Sequence, residues 1–227
     1  MRRKPNLMPR LANCSEYIIP AADAHCGAWL EVFSDCNELR AELGCGKGRF
    51  LSETARANPR VLFIGIERVA DAAVVAAERA RDAGLRNVRF IIDDVACLPT
   101  VFAPRELSVI YINFCDPWQG KKRAKRRLTS DGYLALYKNA LSPNGEIRFK
   151  TDNTELFDFS LERFDALGFT TGVVTRDLHR AGGDDDDTIS PADTRLGEMR
   201  AVMTDYEEKF YSQGVRICAC TAAPPRE

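Results

Sequence analysis

The stretch Glu42-Leu43-Gly44-Cys45-Gly46-Lys47-Gly48 decides the fold of this chain. It overlaps the end of 39–43, which predicts a buried strand, and it precedes 49–57, which predicts a helix. Three glycines at every second position free the main chain from the usual limits on φ and allow it to approach a ligand closely.

The spacing of these glycines separates two kinds of ligand. The dinucleotide fingerprint is G-x-G-x-x-G, whereas this chain reads E-x-G-x-G-x-G and has an arginine at position 49. A carboxylate at the strand end, Glu42, opposes a pyrophosphate but suits a cationic ligand such as the amino acid portion of S-adenosylmethionine. The alternative is a glycine-rich connector that binds nothing.

Outward from this turn, strands and helices alternate along the chain. Strands are predicted at 39–43, 61–66, 88–92, 107–112, 146–150, 169–176 and 215–220. Helices are predicted at 25–33, 49–57, 70–83, 95–102, 131–141, 154–167 and 204–213, with a turn at 142–145 and an irregular start up to about residue 24. The alternation predicts an α/β fold with a mostly parallel, seven-stranded sheet and helices on both faces.

Length and charge limit the organisation and the partners. The chain has 227 residues and a formal net charge of -1, so any affinity for nucleic acid must come from local basic patches. We expect an N-terminal extension with a short helix at 1–35 and one catalytic domain at 36–222. The domain carries a polar insert near 182–197, which includes four consecutive aspartates and is expected to be a loop or disordered.

Cysteine and histidine usage argues against a metal site. The eight cysteines contain no C-x-x-C pair, and the two histidines, His25 and His179, lie far apart in sequence. No signal peptide and no membrane-spanning apolar stretch is visible. We therefore expect a cytoplasmic protein with reduced cysteines, no bound metal and no membrane partner.

Two further acids follow the next two predicted strands. Glu67 follows 61–66, where a carboxylate can accept hydrogen bonds from both ribose hydroxyls of a nucleoside. Asp94 follows the third strand, where its carboxylate can accept a hydrogen bond from the exocyclic amine of adenine. The neighbouring Asp93 offers a second carboxylate. Ordinary acids at strand ends are the alternative for both positions.

The fourth predicted strand ends at Asn113-Phe114-Cys115-Asp116-Pro117-Trp118, and a cationic loop, 121–127, follows. This combination suits a nucleic acid, whose phosphates the cations hold while Asp116 and Trp118 hold one base. A plain turn with the tryptophan covering the core, followed by a solvated charge run, fits the same residues.

Two more polar motifs have both a functional and a structural interpretation. Asp152 follows the fifth strand, where it either binds a base edge or caps the next helix. Thr204 and Glu207 form the T-x-x-E pattern of a helix capping box.

Taken together, these motifs resemble the bacterial tRNA (guanine-N(7))-methyltransferases over nearly the whole chain. The resemblance lies in E-x-G-x-G-K-G at 42–48, G-I-E at 65–67, N-F-x-D-P-W with its Lys/Arg cluster at 113–127, F-K-T-D-N at 149–153 and T-x-Y-E-x-K-F at 204–210.

The resemblance implies a Rossmann-like methyltransferase fold and transfer of a methyl group from S-adenosyl-L-methionine to ring nitrogen seven of a guanosine in tRNA. It implies that Asp116 is catalytic. Cofactor contacts are expected from Glu42, Gly44, Gly46, Gly48, Glu67, Asp94 and Asp116. Contacts with tRNA are expected from Lys121, Arg123, Asp152, Thr204, Tyr206 and Glu207.

The basic loop departs from the family pattern D-P-W-P-K-x-R-H. Gln119 and Gly120 replace the proline and the lysine, Arg123 stands near the histidine, and Lys121 offers a lysine shifted by one position. The alternatives are a methyltransferase for a small molecule or a protein, a non-catalytic RNA-binding relative and a nicotinamide oxidoreductase. We expect a monomer or a homodimer.

Overall fold

A computed structural model of the chain describes residues 6–180 and 194–225. The strands are β1 Glu38–Leu43, β2 Val61–Ile66, β3 Val88–Ile91, β4 Leu107–Asn113, β5 Leu141–Thr151, β6 Thr170–Thr175 and β7 Cys218–Ala223. The helices are α1 Leu7–Ala12, α2 Trp29–Val32, α3 Arg49–Ala57, α4 Ala70–Asp82, α5 Leu98–Val101, α6 Asp131–Ala140, α7 Thr154–Ala166, α8 Thr194–Ala201 and α9 Asp205–Ser212.

The strands form one seven-stranded sheet in the order β3-β2-β1-β4-β5-β7-β6. β1 pairs parallel to β2 and β2 parallel to β3, whereas β7 pairs antiparallel to β5 and β6. The predicted α/β fold with a mostly parallel sheet is confirmed. The antiparallel strand, β7, is the last in the chain and lies between β5 and β6, an arrangement that is common among otherwise parallel sheets.

The N-terminal segment is more regular than predicted. α1 lies where an irregular chain was expected, and Arg10 on it pairs with Glu78 of α4. Further on, Tyr17 and Ile19 exchange main-chain hydrogen bonds of 2.7 and 2.9 Å with Phe90 of β3. The segment thus covers the exposed edge of β3, which explains its order. The helix predicted at 25–33 is only the single turn α2.

Three boundaries in the second half differ from the prediction. β5 begins at Leu141 and runs through the turn expected at 142–145, where Pro143 is exposed and needs no ladder hydrogen bond. β7 begins at Cys218 rather than 215. The end of the insert predicted as a loop is helix α8, because Leu196 and Met199 pack on a hydrophobic cluster, while 181–193 lie outside the described residues.

Contacts group the chain into two compact units, with the boundary in sequence between Ser108 and Val109. In the first unit, β2 is buried along its whole length. Gly65, next to the end of β2, is closely packed: a Cβ there would lie 2.8 Å from both Cys45 Sγ and Phe90 Cδ1 and 2.9 Å from Leu51 Cδ2. Only a glycine lets the turn after β1 sit this close to β2.

In the second unit, a buried ion pair joins the end of β5 to α9. Lys150 Nζ lies 2.6 Å from Glu207 Oε2, and the two side chains are 2% and 0% exposed. Lys150 also donates to the carbonyls of Met199 and Val202, at 3.3 and 3.2 Å, just before α9. His179 Nε2 lies 2.7 Å from the other Glu207 oxygen.

These partners keep Glu207 ionised despite its burial. Burial acts to raise the pKa of the Glu207 carboxyl, but the hydrogen bonds from His179 and Lys150 and the charge of Lys150 outweigh it, so the pKa lies below its usual value. An ionised carboxylate only accepts hydrogen bonds, so His179 donates. A lowered folded-state pKa stabilises the fold above the unfolded pKa, and this stabilisation is lost as pH falls through the folded value.

Among residues 6–180 and 194–225, no group of three or more histidine, cysteine, aspartate or glutamate side chains is arranged to hold a metal ion. Within the same residues, no helix is long and apolar enough to cross a membrane.

We predict that Gly65→Ala lowers the free energy of unfolding by about 1–3 kcal/mol, because the added methyl group overpacks the space between β2, the turn after β1 and α3. Gly132→Ala is the matched control, since a Cβ there meets nothing within 4 Å. It should leave stability unchanged or raise it by about 0.5–1 kcal/mol. Urea unfolding measures both, and equal effects would contradict the close packing at Gly65.

We predict that Lys150→Met destabilises the protein by about 3–5 kcal/mol, because it leaves the buried Glu207 carboxylate without its cation. The exposed Lys209, on α9, provides the control: Lys209→Met should change the unfolding free energy by less than about 0.5 kcal/mol. A destabilisation below about 1 kcal/mol in Lys150→Met would show that the pair does not hold α9 in place.

Candidate active site

The glycine-rich turn has the left-handed backbone that its sequence predicts. Gly44, Gly46 and Gly48 have φ values of 76°, 55° and 70°. The amides of Gly44 and Cys45 both donate to the carbonyl of Ile66, at 2.8 and 3.2 Å, which anchors the turn to the end of β2. L-residues rarely adopt this conformation, so the three glycines are required by the backbone itself.

Two of the glycines face open space and the third faces the protein. A Cβ on Gly48 would lie 2.6 Å from Cβ of Ala76, so this glycine brings α3 close to α4. A Cβ on Gly44 or Gly46 would meet nothing within 4 Å. The first two positions of the turn therefore leave room that a ligand can use.

The carboxylates predicted to bind the cofactor have different surroundings. Glu42 is buried, with 2% of its surface exposed. Glu67 accepts hydrogen bonds from the amides of Gly46, at 3.0 Å, and Val69, at 2.7 Å. Glu67 therefore ties the glycine-rich turn to the end of β2. The structure brings these two predicted residues, Glu67 and Gly46, into direct contact.

Asp94 is exposed at the start of the short 3-10 helix Val95–Cys97, and its carboxylate accepts from the amide of Ala96 at 3.0 Å. Asp93, the alternative, accepts from the amide of Asp94 at 2.7 Å. Both carboxylates therefore brace this turn, and each retains accepting capacity for another donor.

These residues fit S-adenosylmethionine by the chemistry of their donor set. Glu42 is an anion suited to the α-ammonium group, and Glu67 and Asp94 offer carboxylate oxygens suited to ribose hydroxyls and an adenine amine. The space beside Gly44 and Gly46, which a side chain would fill, suits a close main-chain approach to the ligand.

The Asp116 loop, residues 113–118, is strained. Phe114 and Trp118 have φ values of 53° and 40°, in a region that bulky residues rarely occupy. The amide of Phe114 donates to the carbonyl of Lys150 at 2.9 Å. Between the two strained residues, the Asp116 carboxylate is exposed and has no hydrogen bond or ion pair within the described residues. Strain of this kind is concentrated at functional sites.

One arginine holds the far end of this loop. Arg127 is 8% exposed, and its Nε donates to the carbonyl of Pro117 at 2.9 Å. Arg126 stacks over the Trp118 ring at 5.0 Å. The basic loop is thus not merely solvated, because its last two residues shape the Asp116 loop.

The rest of the basic loop is exposed. Residues Lys121–Arg126 form a 3-10 helix with five cations in six positions, after Gly120 with its φ of 86°. Lys121 and Arg123 are exposed on this helix, and their side chains form no hydrogen bond or ion pair within the described part of the chain. These two side chains are available to a polyanion.

The last predicted residues divide into exposed and buried ones. Asp152 is half-buried, and the cap of α7 is instead its neighbour Asn153, whose Oδ1 accepts from the amide of Leu156 at 2.7 Å. Asp152 therefore does not serve as the helix cap. Thr204 and Glu207 form the expected capping box. Tyr206 is 63% exposed, whereas the Glu207 carboxylate faces Lys150 and His179.

Cys115, next to Asp116, is poorly suited to act as a nucleophile. Burial, reinforced by the charge of Asp116, raises the pKa of its thiol to about 12. A thiol with this pKa carries almost no thiolate at neutral pH.

Sequence reasoning missed Lys150, Arg127 and Asn153. Lys150 lies in the F-K-T-D-N motif, where a lysine inside an apolar strand signals a buried partner. Nothing in the sequence distinguishes Arg127 from the other cations of its run. Asn153 is a common capping residue, but Asp152 beside it could cap the same helix.

Solved structures share the fold. The chain is 13% identical to the 16S rRNA methyltransferase KamB, with a TM-score of 0.63 and coverage of 89% of this chain and 95% of that one. It is 15% identical to an antibiotic-related methyltransferase, with a TM-score of 0.58 and coverage of 85% and 89%. A geranyl diphosphate C-methyltransferase from Streptomyces coelicolor A3(2) is also 15% identical, with a TM-score of 0.52 and coverage of 88% and 76%. These similarities establish the Rossmann-like methyltransferase fold.

Sequence comparison is more specific. The family model described as "Putative methyltransferase" matches residues 37–220. A tRNA (guanine-N(7)-)-methyltransferase of Geobacillus kaustophilus (strain HTA426) is 39% identical over 227 residues, covering 100% of this chain and 98% of the relative. One of Streptococcus suis (strain 05ZYH33) is 38% identical over 214 residues, covering 94% of each. The chain belongs to the tRNA (guanine-N(7)-)-methyltransferase family.

Proposed function

We propose that this protein methylates ring nitrogen seven of a guanosine in tRNA, with S-adenosyl-L-methionine as the methyl donor. The observation that carries the proposal is the exposed Asp116 carboxylate in a strained loop that is followed directly by the exposed cations of Lys121–Arg126. We expect the enzyme to act in the cytoplasm as a monomer or a homodimer.

The reaction needs little proton transfer. When bound, the cofactor supplies an electrophilic methyl group on a cationic sulfur. Nitrogen seven of neutral guanine carries no proton, so its lone pair forms the new N–C bond while the S–C bond breaks and its electrons remain on sulfur. The positive charge moves to the purine ring. The protein's task is to align the nucleophile and the methyl group and to favour that charge.

The first unit would bind the cofactor. Glu42 would pair with the α-ammonium group, and the glycine-rich turn, with Gly44, Gly46 and Gly48, would lie along the amino acid portion. Glu67 would accept from the ribose hydroxyls and Asp94 from the adenine amine. The existing hydrogen bond from Gly46 to Glu67 supports this, since it preorganises the turn and the carboxylate together.

Asp116 would orient the guanine. Its carboxylate can accept hydrogen bonds from the N1–H and amino groups of the base, which fixes the orientation of the ring. A nearby negative charge also stabilises the cationic purine as it forms. The resemblance further assigns Asp116 a contact with the cofactor.

The tRNA would contact exposed and half-buried groups of the second unit. Lys121 and Arg123 would bind phosphates, and Asp152, Thr204 and Tyr206 would contact the guanosine, Tyr206 through its exposed ring. Glu207 was predicted to contact the guanosine as well, but its carboxylate is buried against Lys150 and His179. We propose that it acts instead by fixing the position of Thr204 and Tyr206 at the start of α9.

We predict that Asp116→Asn lowers kcat/KM for tRNA by about a hundredfold or more, because it removes the charge that orients the base and stabilises the purine cation. The exposed Asp165→Asn is the control and should match the wild type. Labelled methyl transfer to unmodified tRNA, followed by nucleoside mapping, gives the rate and the position. Near-native turnover by a folded, cofactor-saturated Asp116→Asn enzyme would disprove this role.

We predict that replacing Lys121, Lys122 and Arg123 by glutamine weakens tRNA binding and flattens its salt dependence. The slope should change by about 0.7–0.9 for each phosphate that the protein no longer neutralises. A matched triple variant carries glutamine at the exposed Arg56, Arg60 and Lys138. Titration at several salt concentrations compares the two. Identical slopes in both variants would mean that the 3-10 helix is solvated surface.

The same assay separates the competing activities. Methyl transfer to small metabolites or to protein, with none to tRNA, would indicate a methyltransferase of another specificity. Binding of tRNA without S-adenosylhomocysteine affinity in calorimetry would indicate a non-catalytic RNA-binding protein.

A further inference from the structure

A cleft of about 600 Å³ opens in the second unit between the start of α6 and the middle of α7. Its volume lies within the usual range for sites that bind small ligands. The residues that line it include Lys125, Gly132, Tyr133, Leu136, Phe159 and Arg163. None of the predicted catalytic or substrate residues lies in its described wall, so the cleft is distinct from the proposed guanosine site.

The walls combine aromatic rings with guanidinium groups. Tyr133 and Phe159 line the cleft together with the aliphatic Leu136. The Phe159 ring lies 4.4 Å from the guanidinium carbon of Arg127 and 6.0 Å from that of Arg163. Flat rings and guanidinium planes are the surfaces on which nucleobases stack in single-stranded RNA.

The charge around the cleft favours an anion. Lys125 belongs to the five-cation helix Lys121–Arg126, and Arg163 adds a further cation. The acid in the described wall, Asp131, lies 3.8 Å from Arg163 Nη1 and is offset by it. Two cations and one acid leave this wall with a net charge of about +1 at neutral pH.

The cleft also connects to the Asp116 loop. Arg127, which stacks on Phe159, donates to the carbonyl of Pro117 at 2.9 Å. Ser130, at the edge of the cleft, donates from its hydroxyl to the carbonyl of Lys125 at 3.1 Å. A ligand against Phe159 and Lys125 would therefore contact the basic helix directly and the Asp116 loop through Arg127, which packs on Phe159.

We propose that this cleft binds one unstacked nucleotide of the tRNA substrate, at a position other than the methylated guanosine. The proposal rests on the proposed function. The base contacts Tyr133 and Phe159, and its phosphate lies near Lys125 and Arg163. An acidic peptide would use the cations but not the aromatic rings, whereas a nucleotide uses both, and the cleft is lined in part by Lys125 of the cationic helix that suits phosphates.

Gly132 allows a test that fills the cleft and leaves its wall side chains in place. It is the second residue of α6, its φ lies outside the left-handed region, and a Cβ there meets nothing within 4 Å. Gly132→Leu should raise KM for tRNA about tenfold and leave kcat and the calorimetric affinity for S-adenosylhomocysteine unchanged, since stacking contributes a factor of this order for each base. Gly197→Leu, at an equally open position on the exposed side of α8, should have no effect.

A second arm removes the cation instead of blocking the space. Arg163→Gln should weaken tRNA binding several-fold and Arg163→Lys much less, whereas Arg56→Gln, which removes the same charge elsewhere, should bind like the wild type. Crosslinking with tRNA that contains 4-thiouridine should attach RNA to a peptide with Tyr133 or Phe159 in the wild type and not in Gly132→Leu.

The outcomes separate this proposal from the proposed function. Wild-type protein that forms no N7-methylguanosine would overturn the function itself. Wild-type activity with unchanged KM in both Gly132→Leu and Arg163→Gln would overturn the nucleotide site alone. If Gly132→Leu or Arg163→Gln also lowered the thermal stability, or lowered the S-adenosylhomocysteine affinity by the same factor as the tRNA affinity, the cleft would be structural. That result would also overturn the nucleotide site.

Discussion

The second unit depends on one buried ammonium group. Lys150 Nζ donates hydrogen bonds to Glu207 and to the main-chain carbonyls of Met199 and Val202. One charged group thus connects the end of β5 to the end of α8 and the start of α9. Such a group is stable inside a protein only when its charge is paired and its donors are used, and here all three donors have acceptors. The same interaction fixes the chain direction at Thr204 and Tyr206. The surface proposed to meet the guanosine is therefore set by an interaction that the guanosine never touches.

A different constraint acts at the Asp116 loop. Two large residues, Phe114 and Trp118, have left-handed backbone conformations that cost of the order of 1–3 kcal/mol each. The surroundings offset this cost: Phe114 packs on the hydrophobic cluster that includes Met199, and Trp118 meets Arg126. With both ends held, Asp116 is presented to solvent without a partner among the described residues. Among these residues, Asp116 has no internal hydrogen bond to break when it binds a base. More of the free energy of its new hydrogen bonds therefore contributes to binding and orienting the base.

The sequence predicts those features that depend on local backbone chemistry. Alternating glycines after an apolar strand predict the turn at 42–48, and Thr204 with Glu207 predicts a capping box, because both patterns act within a few residues. Prediction from the sequence fails where contacts between residues distant in sequence determine the local structure. Pro143 and Gly145 signal a turn, yet that segment is the start of β5. The end of the polar insert is helix α8 rather than a loop, because its buried face depends on a cluster that also includes residues of β6 and β7. The hold of Arg127 on the Asp116 loop is likewise set by a neighbour in space, the carbonyl of Pro117.

The division of residues between the units indicates how one fold serves different substrates. The glycine-rich turn, Glu42 and Glu67 belong to the first unit, and we propose that they bind the methyl donor. The Asp116 loop, the cationic helix and the segment 204–206 follow β4 and β5 in the second unit. Proteins of similar fold include a 16S rRNA methyltransferase and a geranyl diphosphate C-methyltransferase. A shared fold does not by itself define the methyl acceptor, so the substrate has to be argued from the residues of the site. In this chain the segments after β4 and β5 carry the cationic helix and the exposed Tyr206 ring on which the proposed contact with tRNA depends.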